Sequence, residues 1–166
     1  MNDALTRVLI DGAILSAALG VVILGSLYYN ARLWLHDYPK EVQAKVPPIT
    51  PREKRDRKIV MLIFFAAMLG ILAYSVAGLR SAQGGSVPFL TAYLHFFGVF
   101  SLFNLFDAVV LDLLILTFMR PKFAVIPGAE GMEYLYHNWG MHLANFLKGI
   151  IFSAVFSLPF ALFSAL

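Results

Sequence analysis

Long apolar runs separated by short polar stretches organise this chain. Four segments, about 8–35, 59–79, 88–119 and 133–166, are apolar over at least the roughly 20 residues that a helix needs to cross a bilayer. Each predicts a helix. The first, third and fourth exceed the hydrocarbon thickness, which predicts tilt or helix continuing beyond it, and Pro159 predicts a kink in the last. Between the runs lie two polar loops, about 36–58 and 120–132, and Pro47, Pro48 and Pro51 predict a stiff, non-helical connector in the first. Gly12, Ser16 and Gly20 at four-residue spacing, and Ala66 and Gly70, predict faces where helix backbones approach closely. The expected fold is all-α: a single transmembrane domain over residues 1–166, built as an antiparallel four-helix bundle.

Composition agrees with the pattern. Hydrophobic residues make up 60% of the chain and charged residues 14%, too little charge to cover a soluble domain of 166 residues. The absence of cysteine excludes disulfides, thiolate-bound metal and thiol catalysis. Segment 8–35 is expected to remain as a span rather than be cleaved as a signal, because it lacks a basic leader and Asp11 interrupts it.

Charge placement predicts orientation. Nine Lys and Arg residues (Lys40, Lys45, Arg52, Lys54, Arg55, Arg57, Lys58, Arg120, Lys122) fall on the two long loops, against Arg7 and Arg80 on the opposite side. That asymmetry predicts cytoplasmic loops and both termini outside. Tyr28, Tyr29, Trp34, Tyr134, Tyr136 and Trp139 suit the same inner boundary. Because the basic charge is concentrated in one loop, it does not read as nucleic-acid binding. Arg52, Lys54, Arg55, Arg57 and Lys58, in the run PREKRDRK, read as a topology signal or as a patch for anionic lipid headgroups.

The candidate chemistry lies in the third and fourth segments. Asp107 and Asp112 stand about 20 Å and 12 Å from Arg120 at 1.5 Å per residue, and Lys148 about 15 Å from Asn138. On α-helices, Ser101, Asn104, Asp107 and Asp112 share an arc of about 140°, and Asn138, His142, Asn145 and Lys148 one of about 120°. Facing stripes on neighbouring helices would pair the charges, since each one left unpaired costs about 2.5–3.5 kcal/mol at mid-bilayer. Two carboxylates against one ammonium leave an excess negative charge. A proton on one Asp, a bound cation, or Arg32 reaching in from the first span would each remove it.

Nearer the loops lie His36, Asp37, Glu41, Glu130, Glu133, His137 and His142. Of these, His36, His137 and His142 with Asp112 compose an oxygen and imidazole set that a divalent metal would accept. Against it, His137 and His142 are five residues apart, about 140° around a helix. No other cofactor is expected. At the opposite side Asp11 and His95 share a level and are expected to pair or to form the mouth of a proton path.

The runs NLFDAVVLDLL, RPKFAVIPGAEGM and HNWGMHLANFLKG, within residues 103–149, resemble a group of small bacterial four-span membrane proteins of no assigned activity. The resemblance implies a bacterial inner-membrane setting and carries over no catalytic residue. Three expectations follow. One is an oligomeric transporter or channel that moves a proton, ion or small solute past the cluster Asn104, Asp107, Asp112, His142, Asn145, Lys148 and Arg32. The others are an accessory or scaffold subunit of a membrane complex, and a membrane-embedded enzyme acting on a lipid or headgroup. Oligomerisation is expected because four helices enclose little volume.

Overall fold

A computed structural model describes residues 3–166. Among the described residues, four helices are long and apolar enough to cross a membrane. Helix α1 (Asp3–Asn30) ends where Asn30 turns extended and its side chain accepts the Arg32 amide, opening a 3-10 stretch, Ala31–Asp37. A short α2 (Lys40–Lys45) follows. Helix α3 (Pro51–Ala82) starts eight residues before the apolar run that predicts it. Thr50 and Glu53 form a reciprocal capping box and Pro51 occupies the first turn, where its missing N–H costs nothing. The basic run therefore rides on the first turns of a helix rather than in a loop.

Gly84 and Gly85, both at positive φ, turn the chain into α4 (Phe89–Phe106). Helix α4 continues without a break as π-helix, π1 (Asp107–Met119), and stops at Arg120, which sits in the left-handed region at φ 46°. The fourth long helix, α5 (Trp139–Ala165), starts six residues later than the apolar run suggests. A 3-10 stretch, Glu133–His137, precedes it, and Asn138 caps it by accepting the Met141 amide at 3.0 Å.

Helices α1 and α4 pack at the centre, with α3 against α1 and α5 against α4. Glycine makes the central contact possible: a Cβ on Gly12 would meet the Leu102 side chain at 2.6 Å, and one on Gly20 would meet Phe106 at 2.9 Å. Gly98 accommodates Val8 from the other direction. The small-residue stripe of the first segment is thus used within one chain. Aromatic rings join α4 to α5, Phe96 and Phe100 lying 5.6 and 5.9 Å from Phe160.

Two separate apolar clusters result. One, including Leu15, Leu72, Phe96 and Val99, fills the end that holds the start of α1, the end of α5 and the 83–88 turn. The other, including Leu27, Tyr38, Val42, Ile126 and Tyr136, ties the two long connectors to α1 at the opposite, connector end.

Candidate functional site

The π-helical segment sets the geometry. In an α-helix, residues five apart are rotated by about 140° from one another, whereas the wider turn of an i→i+5 backbone pattern reduces that offset to about 50°. Asp107, Asp112 and Thr117 are spaced by five, and all three line one cavity of about 360 Å³. Thr117, fully buried, donates from Oγ1 to the Asp112 carbonyl at 2.8 Å, a bond between residues five apart. The π-helical winding therefore keeps Asp107, Asp112 and Thr117 on one face, toward one cavity.

Helix α5 supplies His142, Asn145, Lys148 and Gly149 to the same cavity, and Asp37 with Tyr38 stands at its connector end. Ile23, Leu24 and Leu27 of α1 form an apolar wall. Asn104 lies directly against Gly149, and its amide donates to the Phe146 carbonyl at 3.1 Å, holding α4 on α5 at the cavity's far end. Asn145 and Lys148 are exposed, so the cavity opens along the α5 edge.

His142 carries the most informative contact. Its Nε2 lies 2.7 Å from the Tyr136 carbonyl, which only an N–H can satisfy, so the proton of the neutral ring is on Nε2. Nδ1 then faces the Asp112 carboxylate at 3.6 Å and has no hydrogen-bond partner among the described residues. A lone pair facing a carboxylate repels it. A proton on Nδ1 or on Asp112 converts the contact to an attraction.

The side chains of Asp107, half-buried in the cavity wall, and of Lys148 make no hydrogen bond or ion pair among the described residues. The expected pairing of these two is not formed. Arg32 is also absent from the cluster. Its Nε donates to Glu53 at 2.7 Å and its Nη2 to the Pro47 and Pro48 carbonyls, because α3 begins early enough to place Glu53 beside it.

The four metal candidates are not assembled. Only Asp112 and His142 meet; His137 lies with Nδ1 2.6 Å from the Arg120 guanidinium and its ring on Phe118, and exposed His36 lies outside the cavity. The physical reason is the break at Asn138, which puts His137 and His142 in different elements. Among the described residues no group of three His, Asp or Glu side chains is placed to hold a metal.

Thr117 and Tyr38 are site residues that the residue pattern did not single out, and Tyr136, expected only as a boundary aromatic, is a third. The repeat of polar residues at 107, 112 and 117 was the available signal. Tyr38 donates to the Ala124 carbonyl at 2.6 Å, while the Tyr136 hydroxyl is buried with no partner among the described residues. Burial, and then the negative Glu133, pushes the Tyr136 hydroxyl up to about 12, so it stays protonated at neutral pH.

At the terminal end Asp11 and His95 do meet, with Nε2 3.2 Å from Oδ2. Ser75 of α3 completes a buried triangle, donating to Asp11 Oδ2 at 2.6 Å and accepting from His95 Nε2 at 2.8 Å. Both partners use the same ring nitrogen, so this is not the relay of a serine nucleophile, in which acid and serine occupy opposite nitrogens. Asp11 and His95 line a second, wider cavity together with Arg7. The basic residues proposed for headgroups lie along the first turns of α3, with Asp56 3.9 Å from Arg52 and 3.5 Å from Arg55.

No family model matches the chain, and no curated protein or solved structure is detectably similar to it.

Proposed function

We propose that this protein is a membrane transporter or channel that moves protons, or a small cation coupled to them, past Asp107, Asp112 and His142. The observation that carries the reading is the 3.6 Å approach of His142 Nδ1 to the Asp112 carboxylate, while Nε2 is committed to the Tyr136 carbonyl. Such a contact needs a proton and can give it up. Asp107, lining the same cavity as Asp112 and without a fixed side-chain partner among the described residues, is a carboxylate free to receive it. Asp37, Asp107 and Asp112 outnumber Lys148 around the cavity, which favours a cation over an anion.

The helix lengths support a multi-pass arrangement. Lys and Arg crowding at the connector end supports placing that end in the cytoplasm, with both termini outside, and the resemblance of residues 103–149 is what favours a bacterial inner membrane. The exposed Asn145 and Lys148 edge supports an oligomer in which a second copy closes the cavity.

The test is proton flux into proteoliposomes driven by a potassium diffusion potential. Asp107→Asn, Asp112→Asn and His142→Gln should each lose most of the wild-type flux. Wild-type flux in both Asp variants removes the reading.

A second reading has one observation in its favour. The apolar wall from α1 faces the polar row across an open edge, a shape suited to a lipid whose headgroup is bound or processed there. Lipid retained by the purified protein and lost in the Asp112→Asn and His142→Gln variants would support it.

A further inference from the structure

A serine buried in a helix ordinarily returns its hydroxyl to a carbonyl three or four residues earlier. Ser26, Ser153, Ser157 and Ser164 do so, at 2.5 to 2.8 Å. Ser16 and Ser101 do not. Both hydroxyl oxygens are buried and lack a hydrogen-bond partner among the described residues, and Ser16 is only 4% exposed. An orphaned hydroxyl costs about 1–3 kcal/mol, and the ordinary remedy is a buried water.

Both serines stand between the two polar sites. Along α4, Ser101 is about 9 Å from the level of His95 and about 9 Å from that of Asp107. Along α1, the contacts of Gly12 with Leu102 and of Gly20 with Phe106 place Ser16 level with Asn104, just short of Asp107. One orphaned hydroxyl would be an isolated defect; here there are two among the described residues, on adjacent helices and at levels between the two sites.

We infer that Ser16 and Ser101 each hold water, and that these waters join the Asp11–Ser75–His95 triangle to the Asp107–Asp112–His142 cavity as one hydrated path. This rests on the transport reading for its use, though not for its existence. A proton entering at the wide cavity beside Arg7 is taken up by Asp11 or His95. It then passes inward by exchange of O–H bonds, each oxygen accepting one proton and releasing another, until Asp107 receives it. No group is left altered.

The chain contains no cysteine, which makes a direct test available. Ser16→Cys and Ser101→Cys are near-isosteric, and silver ion in water is a small thiol reagent. Val99→Cys, at a fully buried apolar position of the same helix as Ser101, reports a dry interior. The thiols at 16 and 101 should react with silver at least about tenfold faster than the thiol at 99, and the Ser16→Ala, Ser101→Ala double variant should lower proton flux about tenfold, the equivalent of one lost hydrogen bond. Thiols at 16 and 101 as slow as that at 99 overturn the path, even if wild-type flux is intact. Reactive thiols in a protein without flux sustain the hydrated path and remove the transport reading alone.

Discussion

Replacing Gly149 by alanine tests whether the two polar faces meet as the cavity requires. A Cβ at this position would occupy the space of the Asn104 amide, which must swing away and give up its 3.1 Å bond to the Phe146 carbonyl. Loss of the bond costs about 1 kcal/mol. Overpacking adds about 1–3 kcal/mol, and the better helix propensity of alanine returns about 1 kcal/mol. The net expectation is a destabilisation of about 1–3 kcal/mol. In an Asn104→Ala background the obstacle is gone, and the same Gly149→Ala change should stabilise by about 1 kcal/mol. The effect therefore reverses sign between backgrounds, with a coupling of about 2–4 kcal/mol by difference. Reversible unfolding in mixed micelles, followed by far-ultraviolet circular dichroism as denaturing detergent is added, measures all four proteins. An effect of Gly149→Ala that agrees in both backgrounds to within about 0.5 kcal/mol would refute the contact, because independent sites behave that way. With it would go the registration of α4 on α5 that brings Asp107 and Lys148 to one cavity.

Two further outcomes follow from the connector end. Glu53 accepts from Arg32, Asn30 and the Thr50 amide while its side chain is only 12% exposed, so Glu53→Ala removes a cap and leaves the Arg32 guanidinium with only the Pro47 and Pro48 carbonyls. It should cost about 2–3 kcal/mol in the same micelle assay; a loss too small to measure would show that Glu53 is not what holds Arg32. For Tyr136 the hydroxyl is raised from 10.0 to about 12, so its neutral form is favoured by folding. That stability is complete below pH 10 and is lost as pH rises from 10 to about 12. Tyr136→Phe should therefore lose less stability than wild type across that window, and tyrosinate absorbance should show one fewer late-titrating ring. Identical slopes would contradict the burial of this hydroxyl.

The helices themselves were legible because the apolar runs are long and the polar breaks few. Their ends were less so. The basic run reads as loop from hydropathy, yet Thr50, Pro51 and Glu53 carry the signals of a helix start, and the structure follows the caps. Hydropathy reports where lipid could cover a helix; hydrogen bonding decides where the helix begins. Arg32 illustrates the consequence, since the early start of α3 delivers Glu53 to it and withdraws it from the polar cluster.

From the chain alone come the four apolar helices, the charge asymmetry between the two ends and the presence of carboxylates, an imidazole and an amine within apolar stretches. These are additive properties of composition along a line, so no partner need be known. Which of those groups meet was decided by tertiary structure. The π-helical segment brings Asp107, Asp112 and Thr117 to one face, the break at Asn138 parts His137 from His142, and the Tyr136 carbonyl orients the imidazole toward Asp112. Each of these depends on a few degrees of backbone rotation or on a carbonyl supplied from another element. Periodicity at a fixed angle per residue carries no information about either.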